Sequence, residues 1–272
     1  MMDPPITLLV SDIDGTLVTP DKHLTPEALK AVADLKAAGV HFTVVSSRPP
    51  RGMASLVAQL GVTAAFAAFN GASVVEPGGR LVSALRLAPQ AARAALDLLA
   101  ENGIEPWVFA DDLWLARDAA GLYTDRERRA LGFEPTIVAD FEPYIDRIDK
   151  IVGVSDQPEH LARVESLARE RLGSSASAIR SQAYYLDITH PAADKGHAVR
   201  ALAVEIGVDL AATAVIGDQG NDVAMFKVAG FSVAMGQSPA DVQAAASAVT
   251  AANTDNGFAK AVKNLVLPRA VR

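Results

Sequence analysis

Residues 7–17 read Thr-Leu-Leu-Val-Ser-Asp-Ile-Asp-Gly-Thr-Leu, an apolar run that ends in two aspartates one residue apart, then a glycine and a threonine. Leu8, Leu9 and Val10 suit a strand buried on both faces, and Gly15 suits the sharp turn behind it. Asp12 and Asp14 are therefore expected at the C-terminal end of a strand. Open parallel α/β sheets bind their ligands at that end. Two carboxylates about 4 Å apart repel by roughly 4 kcal/mol at an effective dielectric near 20, so a site that gathers them needs a cation or a shared proton. A hard divalent ion, Mg2+ above all, matches oxygen ligands of this kind. Asp-x-Asp also serves as an ordinary turn cap, so the rest of the chain has to decide between the two.

Downstream, Thr25-Pro26-Glu27 is a helix start, with Thr at the cap, Pro at the first helical position and an acid in the first turn. Leu29, Val32 and Leu35 are expected to continue its apolar face, and Gly39 to close it. Residues 40–45 read as a second buried strand ending at Ser46-Ser47-Arg48, residues 53–60 as a short helix, 64–69 as a third strand, and Asn70-Gly71 as a turn at its end. This alternation implies a parallel sheet with right-handed crossovers. The pattern resumes with a strand at 211–216 ending in Gly-Asp-Gln-Gly-Asn-Asp, a helix at 222–228 and a strand at 231–235.

All four tyrosines (Tyr123, Tyr144, Tyr184, Tyr185) and both tryptophans (Trp107, Trp114) lie between residues 83 and 187. Such segregation points to an inserted second domain, with residues 1–82 and 188–272 forming the core and 83–187 the insert. Inside the insert, residues 89–102 predict an amphipathic helix stopped by Gly103, and 107–109 with 113–116 a hairpin around Asp111-Asp112. Residues 124–131 predict a charged helix, 149–154 a strand, 160–172 a third helix, and 177–179 with 184–188 a closing hairpin. The expected result is an α+β cap with an antiparallel sheet.

Half of the 272 residues are hydrophobic, which suits well-filled cores and argues against disorder. With no cysteine there is no disulfide, no thiolate nucleophile and no sulfur-based zinc site, and His23, His41, His160, His190 and His197 show no ligand spacing. Any metal falls to carboxylates and carbonyls. No apolar stretch reaches the roughly 18 residues of a membrane span, and the first residues lack the regions of a signal peptide, so a cytoplasmic location without membrane attachment is expected. The formal charge is −7 with the basic residues dispersed, which argues against a nucleic-acid surface. An anionic substrate then needs a local positive pocket. A monomer or homodimer is the expected assembly.

Four segments fall at the C-terminal ends of predicted strands or just before helices: Asp12-x-Asp14, Ser46, the Asp194-Lys195-Gly196 turn, and Asp218 with Asn221 and Asp222. A carboxylate such as Asp12 can attack phosphorus and split one difficult displacement into two. Phosphate-monoester hydrolysis needs enhancements up to about 10^21, so strong charge stabilisation must accompany the attack. In order, spacing and sheet position the four segments resemble the haloacid dehalogenase superfamily over essentially the whole chain: Asp-x-Asp-Gly-Thr, a Ser/Thr after strand two, a lysine, and Gly-Asp-x-x-Asn/Ser-Asp. The resemblance implies an α/β fold, a doubly wound parallel sheet with the α+β cap inserted. It implies Asp12 as nucleophile and Asp14 as general acid and then base, with the Asp14 backbone carbonyl at the metal. Ser46 would donate to a phosphoryl oxygen, while Lys195 and Mg2+ supply positive charge. The implied metal site is Asp12, Asp14, Asp218, Asn221 and Asp222, the last two either holding the metal's waters or orienting Lys195. The family's Thr-Gly-Arg appears here as Ser46-Ser47-Arg48, so Ser47 replaces a glycine whose amide often approaches the phosphate.

An α+β cap between the serine and lysine motifs resembles the type II (C2B) class. Asn70-Gly71-Ala72, and Leu186-Asp187-Ile188 leading to Lys195-Gly196, look like the Cof-type subfamily. This implies a Mg2+-dependent hydrolase of small phosphorylated metabolites, sugar phosphates foremost, with Ser47, Arg48, Asn70 and Gly71 meeting the substrate. Two other readings stand beside it. A phosphomutase or phosphotransferase would return the phosphoryl group to a sugar, and a phosphoacceptor switch like the response-regulator receivers would turn over little. The large insert and the presence of Asp14 speak against the switch. The aromatic surplus of the insert, with Arg117 and Arg180, suits a polar ring, although core packing is the expected job of most of these aromatics.

Overall fold

A computed structural model describes residues 4–270. The chain folds as two compact units. One contains the residues through Ser46, Met53–Val82 and the residues from Asp194 on; the other contains Ser47–Gly52 and Ser83–Ala193.

The first unit opens with β1 (Leu8–Asp12), α1 (Pro26–Ala37), β2 (His41–Val45), α2 (Pro50–Gln59, shared with the second unit), β3 (Phe66–Ala68), β4 (Ser73–Val75) and β5 (Leu81–Ala84). All five residues of β1 are buried, and each large aliphatic side chain among them contributes about 1.5–3 kcal/mol by leaving water. Thr25 caps α1, its Oγ1 accepting from the Ala28 N–H at 3.1 Å, with Pro26 at the first position. The buried stripe of α1 is Ala28, Ala31, Val32 and Leu35. Leu29, expected on that face, is 37% exposed, because it lies about 100° round the helix from Ala28. The third strand stops at Ala68 and not at residue 69: Phe69 (φ 50) and Asn70 (φ 55) are both left-handed and turn the chain through a 3-10 turn ending at Gly71.

The second unit contains α3 (Pro89–Glu101), β6 (Glu105–Ala110), β7 (Leu113–Ala116), α4 (Thr124–Leu131), β8 (Thr136–Ile137), β9 (Ile148–Val154), α5 (Pro158–Leu172), β10 (Ser177–Gln182) and β11 (Tyr185–Thr189). Its sheet runs β10-β11-β9-β6-β7-β8, antiparallel except for the parallel pair β7 and β8. Strand alternation divides the side chains between two faces. Ile151, Leu186 and Ile188 pack with Leu98 and Leu99 of α3 and Val164 and Ala168 of α5 in one core. Trp107, Phe109, Trp114, Lys150, Tyr185 and Asp187 share the other face by register and are all buried. The Trp107 and Trp114 rings meet edge to face at 5.0 Å. Arg117 lies over the Phe141 ring and Arg180 pairs with Glu165, so both arginines serve the insert's own packing. β11 pairs with β9 along its whole length, past residue 187 where the core was expected to resume, and the first unit takes up again at Asp194.

The chain then adds α6 (Lys195–Ile206), β12 (Thr213–Gly217), α7 (Val223–Phe226), β13 (Phe231–Ala234), α8 (Ala240–Ala245), β14 (Ala248–Val249) and α9 (Gly257–Ala261). The large sheet runs β14-β13-β12-β1-β2-β3-β4-β5, parallel from β14 to β3, with β4 turned antiparallel to β3. This is an α/β doubly wound sheet. Chain order reverses at β1, which has β2 on one side and β12 on the other, and ligands bind at such switch points. Register aligns Asp12 with Val45 and Ser11 with Ile216, so Asp12, Ser46 and Asp218 leave the sheet along one edge. No helix among the described residues is long and apolar enough to cross a membrane.

Candidate active site

Asp12 ends β1 with 4% of its surface exposed, and Lys195 opens α6 with 2%. A cation at a helix N-terminus opposes the helix dipole, so Lys195 is not there for helix stability. Its Nζ donates to Asp12 Oδ1 and to Asp222 Oδ1, both at 2.5 Å. Asp194 caps α6 by accepting from the His197 N–H at 2.7 Å. Gly196 is bare because a Cβ there would stand 2.6 Å from the Ala224 carbonyl, so α6 packs directly on the backbone of α7. Asp222 is fully buried; its Oδ2 accepts from the N–H groups of Asp218 (2.7 Å) and Gln219 (2.9 Å). Both Asp222 oxygens are thus engaged, which favours the orienting role over direct metal ligation. Asp218 accepts from Thr16 Oγ1 at 3.3 Å and from Gln219 Nε2 at 3.1 Å.

Oxygens of Asp12, Asp218 and Asp222 all lie within 4.8 Å of one another. Three buried carboxylates face one ammonium, which leaves two negative charges uncompensated. Burial pushes the Asp12 carboxyl well above the usual range, Lys195 pulls it down, and Asp222 and Asp218 push it further up. Burial likewise raises Asp218, helped by Asp222, to about 6. Burial alone would lower Lys195, but Asp12 and Asp222 outweigh it and hold the ammonium charged. An all-oxygen donor set with this charge deficit fits a hard divalent cation. The fold makes room for it by leaving glycine at two positions: a Cβ on Gly15 (φ 86) would lie 2.3 Å from Asp218 Oδ2, and one on Gly217 2.4 Å from Asp222 Cγ.

Two predictions follow from this arrangement. The Asp218 carboxyl ionises near 3.8 in the unfolded chain but near 6 in the metal-free fold. Between those values the native state binds the extra proton, so the Asp218 contribution to metal-free stability is lost as pH rises through that window. Mg2+ requires the ionised form, so the gain in Tm on adding Mg2+ should grow as the pH rises through 6; a gain independent of pH would contradict the assignment. Gly15→Ala forces both the clash and an unfavourable backbone, and should raise the Mg2+ concentration for half-maximal activity about 10- to 100-fold. An unchanged Mg2+ titration of activity would count against the site.

Asp14 lies in the turn after β1 and is partly exposed, with its Oδ1 2.6 Å from Lys22 Nζ. Gln237 Nε2 donates to the Gly15 carbonyl at 2.6 Å, the Asn253 N–H donates to Gln237 Oε1 at 3.0 Å, and Asn253 Nδ2 donates to the Val18 carbonyl at 3.1 Å. Gln237 and Asn253, which brace the Asp14 turn from far along the chain, are not visible as site residues in the sequence. The Thr16 bond to Asp218 is a further addition.

Ser46 is buried, its carbonyl accepting from the Asn70 N–H at 2.8 Å. Asn70 Oδ1 accepts from Asn221 Nδ2 at 3.2 Å, and the left-handed Gly71 presses on the start of α6, where a Cβ would meet the Asp194 carbonyl at 2.6 Å. The structure therefore gathers Asp12, Lys195, Asp218 and Asp222 in one cluster and links Ser46, Asn70 and Asn221 through hydrogen bonds. Ser47 and Arg48 instead pack within the second unit, where Arg48 Nη1 donates to the Ala130 carbonyl at 3.3 Å.

Residues 9–262 match the family profile described as haloacid dehalogenase-like hydrolase. A Bacillus subtilis relative, YxeH, is 30% identical over 96% of this chain and 99% of its own. Another from Bacillus subtilis, 5-amino-6-(5-phospho-D-ribitylamino)uracil phosphatase YwtE, is 25% identical over 94% of this chain and 96% of its own. Among solved structures, the subclass IIB sugar phosphatase BT4131 superposes with a TM-score of 0.83 at 22% identity, covering 96% of this chain and 99% of that one, a likeness of fold.

Proposed function

The chain belongs to the haloacid dehalogenase-like hydrolases, of the Cof type, and is a phosphatase; from that membership we propose that it hydrolyses small phosphorylated metabolites, sugar phosphates foremost, in a Mg2+-dependent reaction through an aspartyl-phosphate on Asp12. The observation that carries this reading is the Lys195 ammonium bonded to both Asp12 and Asp222, with Asp218 beside them and two negative charges left for a metal to balance. The activity named for YwtE, on a ribityl phosphate, supports the small-metabolite class.

Asp12 attacks phosphorus, and Lys195, by holding Asp12 Oδ1, orients the carboxylate and offsets charge as the bond forms. Mg2+, held by the Asp12 and Asp218 carboxylates with the Asp14 backbone carbonyl, would supply the positive charge that lets an anionic nucleophile meet an anionic phosphoryl group. Asp14 gives a proton to the leaving oxygen and later takes one from the water that attacks the phosphoenzyme. The Ser46 hydroxyl donates to a phosphoryl oxygen, Asp222 orients Lys195, and Asn221 does so for Asn70. Asn70 and Gly71 complete the substrate contacts from the unit that carries Asp12.

The test is phosphate release from a panel of phosphorylated sugars, nucleotides and cofactors. The expected result is release that EDTA abolishes and Mg2+ restores, strongest on a sugar or polyol phosphate. Full activity in metal-free buffer, or no release from any member, would contradict the reading. A new phosphorylated product without free phosphate would mark the mutase instead.

A further inference from the structure

A hairpin that grows out of the Asp14 turn reaches back to the Asp14 side chain. At its root the N–H groups of Leu17 and Val18 donate to the Ile13 carbonyl at 3.0 and 3.1 Å. Beyond the root the chain reverses over Pro20, Asp21 and Lys22: the Lys22 N–H donates to the Thr19 carbonyl at 2.9 Å, and the Thr19 N–H donates to the His23 carbonyl at 3.0 Å. This pair of bonds is the pattern of a three-residue hairpin loop, in which proline suits the first place and the third is left-handed, ordinarily a glycine. Pro20 obeys the rule. Lys22 does not: its φ is 67, and its Nζ donates to Asp14 Oδ1 at 2.6 Å. The two side chains are 44% and 27% exposed. A left-handed backbone costs a residue with a Cβ more than an ion pair so open to water offsets, so stability does not account for a lysine at this place.

Strained backbone of this kind gathers at functional sites, and what the lysine adds is a fixed direction for the Asp14 carboxylate. Lys22, Asp14 and Asp12 all belong to one compact unit. We propose that Lys22 is a positioning residue that fixes the Asp14 carboxylate for taking the proton of the water that hydrolyses the phosphoenzyme. This rests on the phosphatase reading and on Asp14 as its acid and base. The ammonium pairs with a carboxylate, the form of Asp14 that accepts a proton, so the bond serves the second displacement. In that step the water oxygen bonds to phosphorus, and the bond from phosphorus to the Asp12 carboxyl oxygen breaks, its electron pair returning to Asp12. The water proton passes to Asp14. Lys22 keeps its own protons throughout and acts only through Asp14.

Lys22→Gly and Lys22→Asn remove the cation and suit the left-handed backbone, while Lys22→Arg keeps the cation. The full-length proteins are compared with Mg2+ on acetyl phosphate, whose acetate leaves without a proton, so that only the second displacement calls on Asp14. Acid-quenched time courses give the rates at which the phosphoryl group arrives on Asp12 and leaves it, with kcat/KM and Tm recorded for each variant. Positioning predicts that the phosphoenzyme of Lys22→Gly and Lys22→Asn decays about 10-fold more slowly than that of the wild type. Its formation should be unchanged, so kcat/KM, which ends at phosphoenzyme formation, should hold. Lys22→Gly should keep or gain Tm, Lys22→Arg should recover most of the decay rate, and Lys22→Gly should slow decay no further in an Asp14→Asn background. Unchanged decay in Lys22→Gly, in a protein whose wild type forms and hydrolyses a phosphoenzyme, overturns the proposal and leaves the functional reading intact. Formation slowed as much as decay would make Lys22 a contact of the phosphoryl group, and an undiminished loss in the Asp14→Asn background would make it act without Asp14; either overturns it. A wild type that places no phosphoryl group on Asp12 would instead contradict the functional reading, and the role of Lys22 would fall with it.

Discussion

Asp12→Asn is expected to lower phosphate release by at least about 10^4-fold while leaving the fold intact. The amide has nearly the shape of the carboxylate and can still accept from Lys195, so packing at the end of β1 is conserved, but it cannot form the acyl phosphate. Stability in EDTA should rise. Asp12 is a buried carboxylate raised by burial and by the charges of Asp222 and Asp218, and removing its charge relieves that repulsion. Steady-state assays with Mg2+, beside thermal melts in EDTA, check both halves. A variant with near-wild-type turnover, or one that is less stable without metal, would refute the assigned position of Asp12 in the cluster.

Lys195→Met should act in the opposite direction on stability. The ammonium is the sole cation bonded to Asp12 and Asp222 among the interactions described, and its loss leaves buried carboxylates without their partner, at about 3–5 kcal/mol. Turnover should fall by about 10^3-fold, the scale of losing one preorganised donor to the developing charge. Because Mg2+ offsets the same charges, part of the lost stability should return on adding it. Placed on top of Asp12→Asn, Lys195→Met should cost much less stability than it does alone, since the two side chains share one interaction. A Lys195→Met loss undiminished in the Asp12→Asn background, or a Lys195→Met protein as stable as wild type in EDTA, would contradict the cluster.

The reaction edge was legible where residue type and strand end coincide. Leu8–Asp12 declares itself by an apolar run closed by acids, and Asp218 by a strand ending in glycine. Lys195 was readable as chemistry only through its place in the set, because a lysine at a helix start ordinarily points to solvent. The left-handed Phe69 was not readable: an apolar residue after Phe66–Ala68 extends the strand pattern, and only the fold imposes its φ of 50. The short strands β4, β5, β8 and β14 are too brief for alternation to show. Gln237 and Asn253 reach the Asp14 turn across more than 200 residues of sequence, and nothing in their neighbourhood marks two amides as braces. Nor does local pattern reveal that Ser47–Gly52 packs with the insert, since that assignment depends on Lys150, Asp112 and Ala130.

Covalent chemistry at Asp12 is tested most directly by trapping the phosphoenzyme. Asp14→Asn removes the group that activates water but, with a substrate whose leaving group needs no proton, such as acetyl phosphate, leaves the first displacement open. Acid quenching within one turnover, followed by peptide mapping, should find a phosphoryl group on Asp12 that accumulates in Asp14→Asn, passes quickly in the wild type and is absent from Asp12→Asn. Steady phosphate release by the wild type with no adduct on Asp12 in either protein at any time would contradict it.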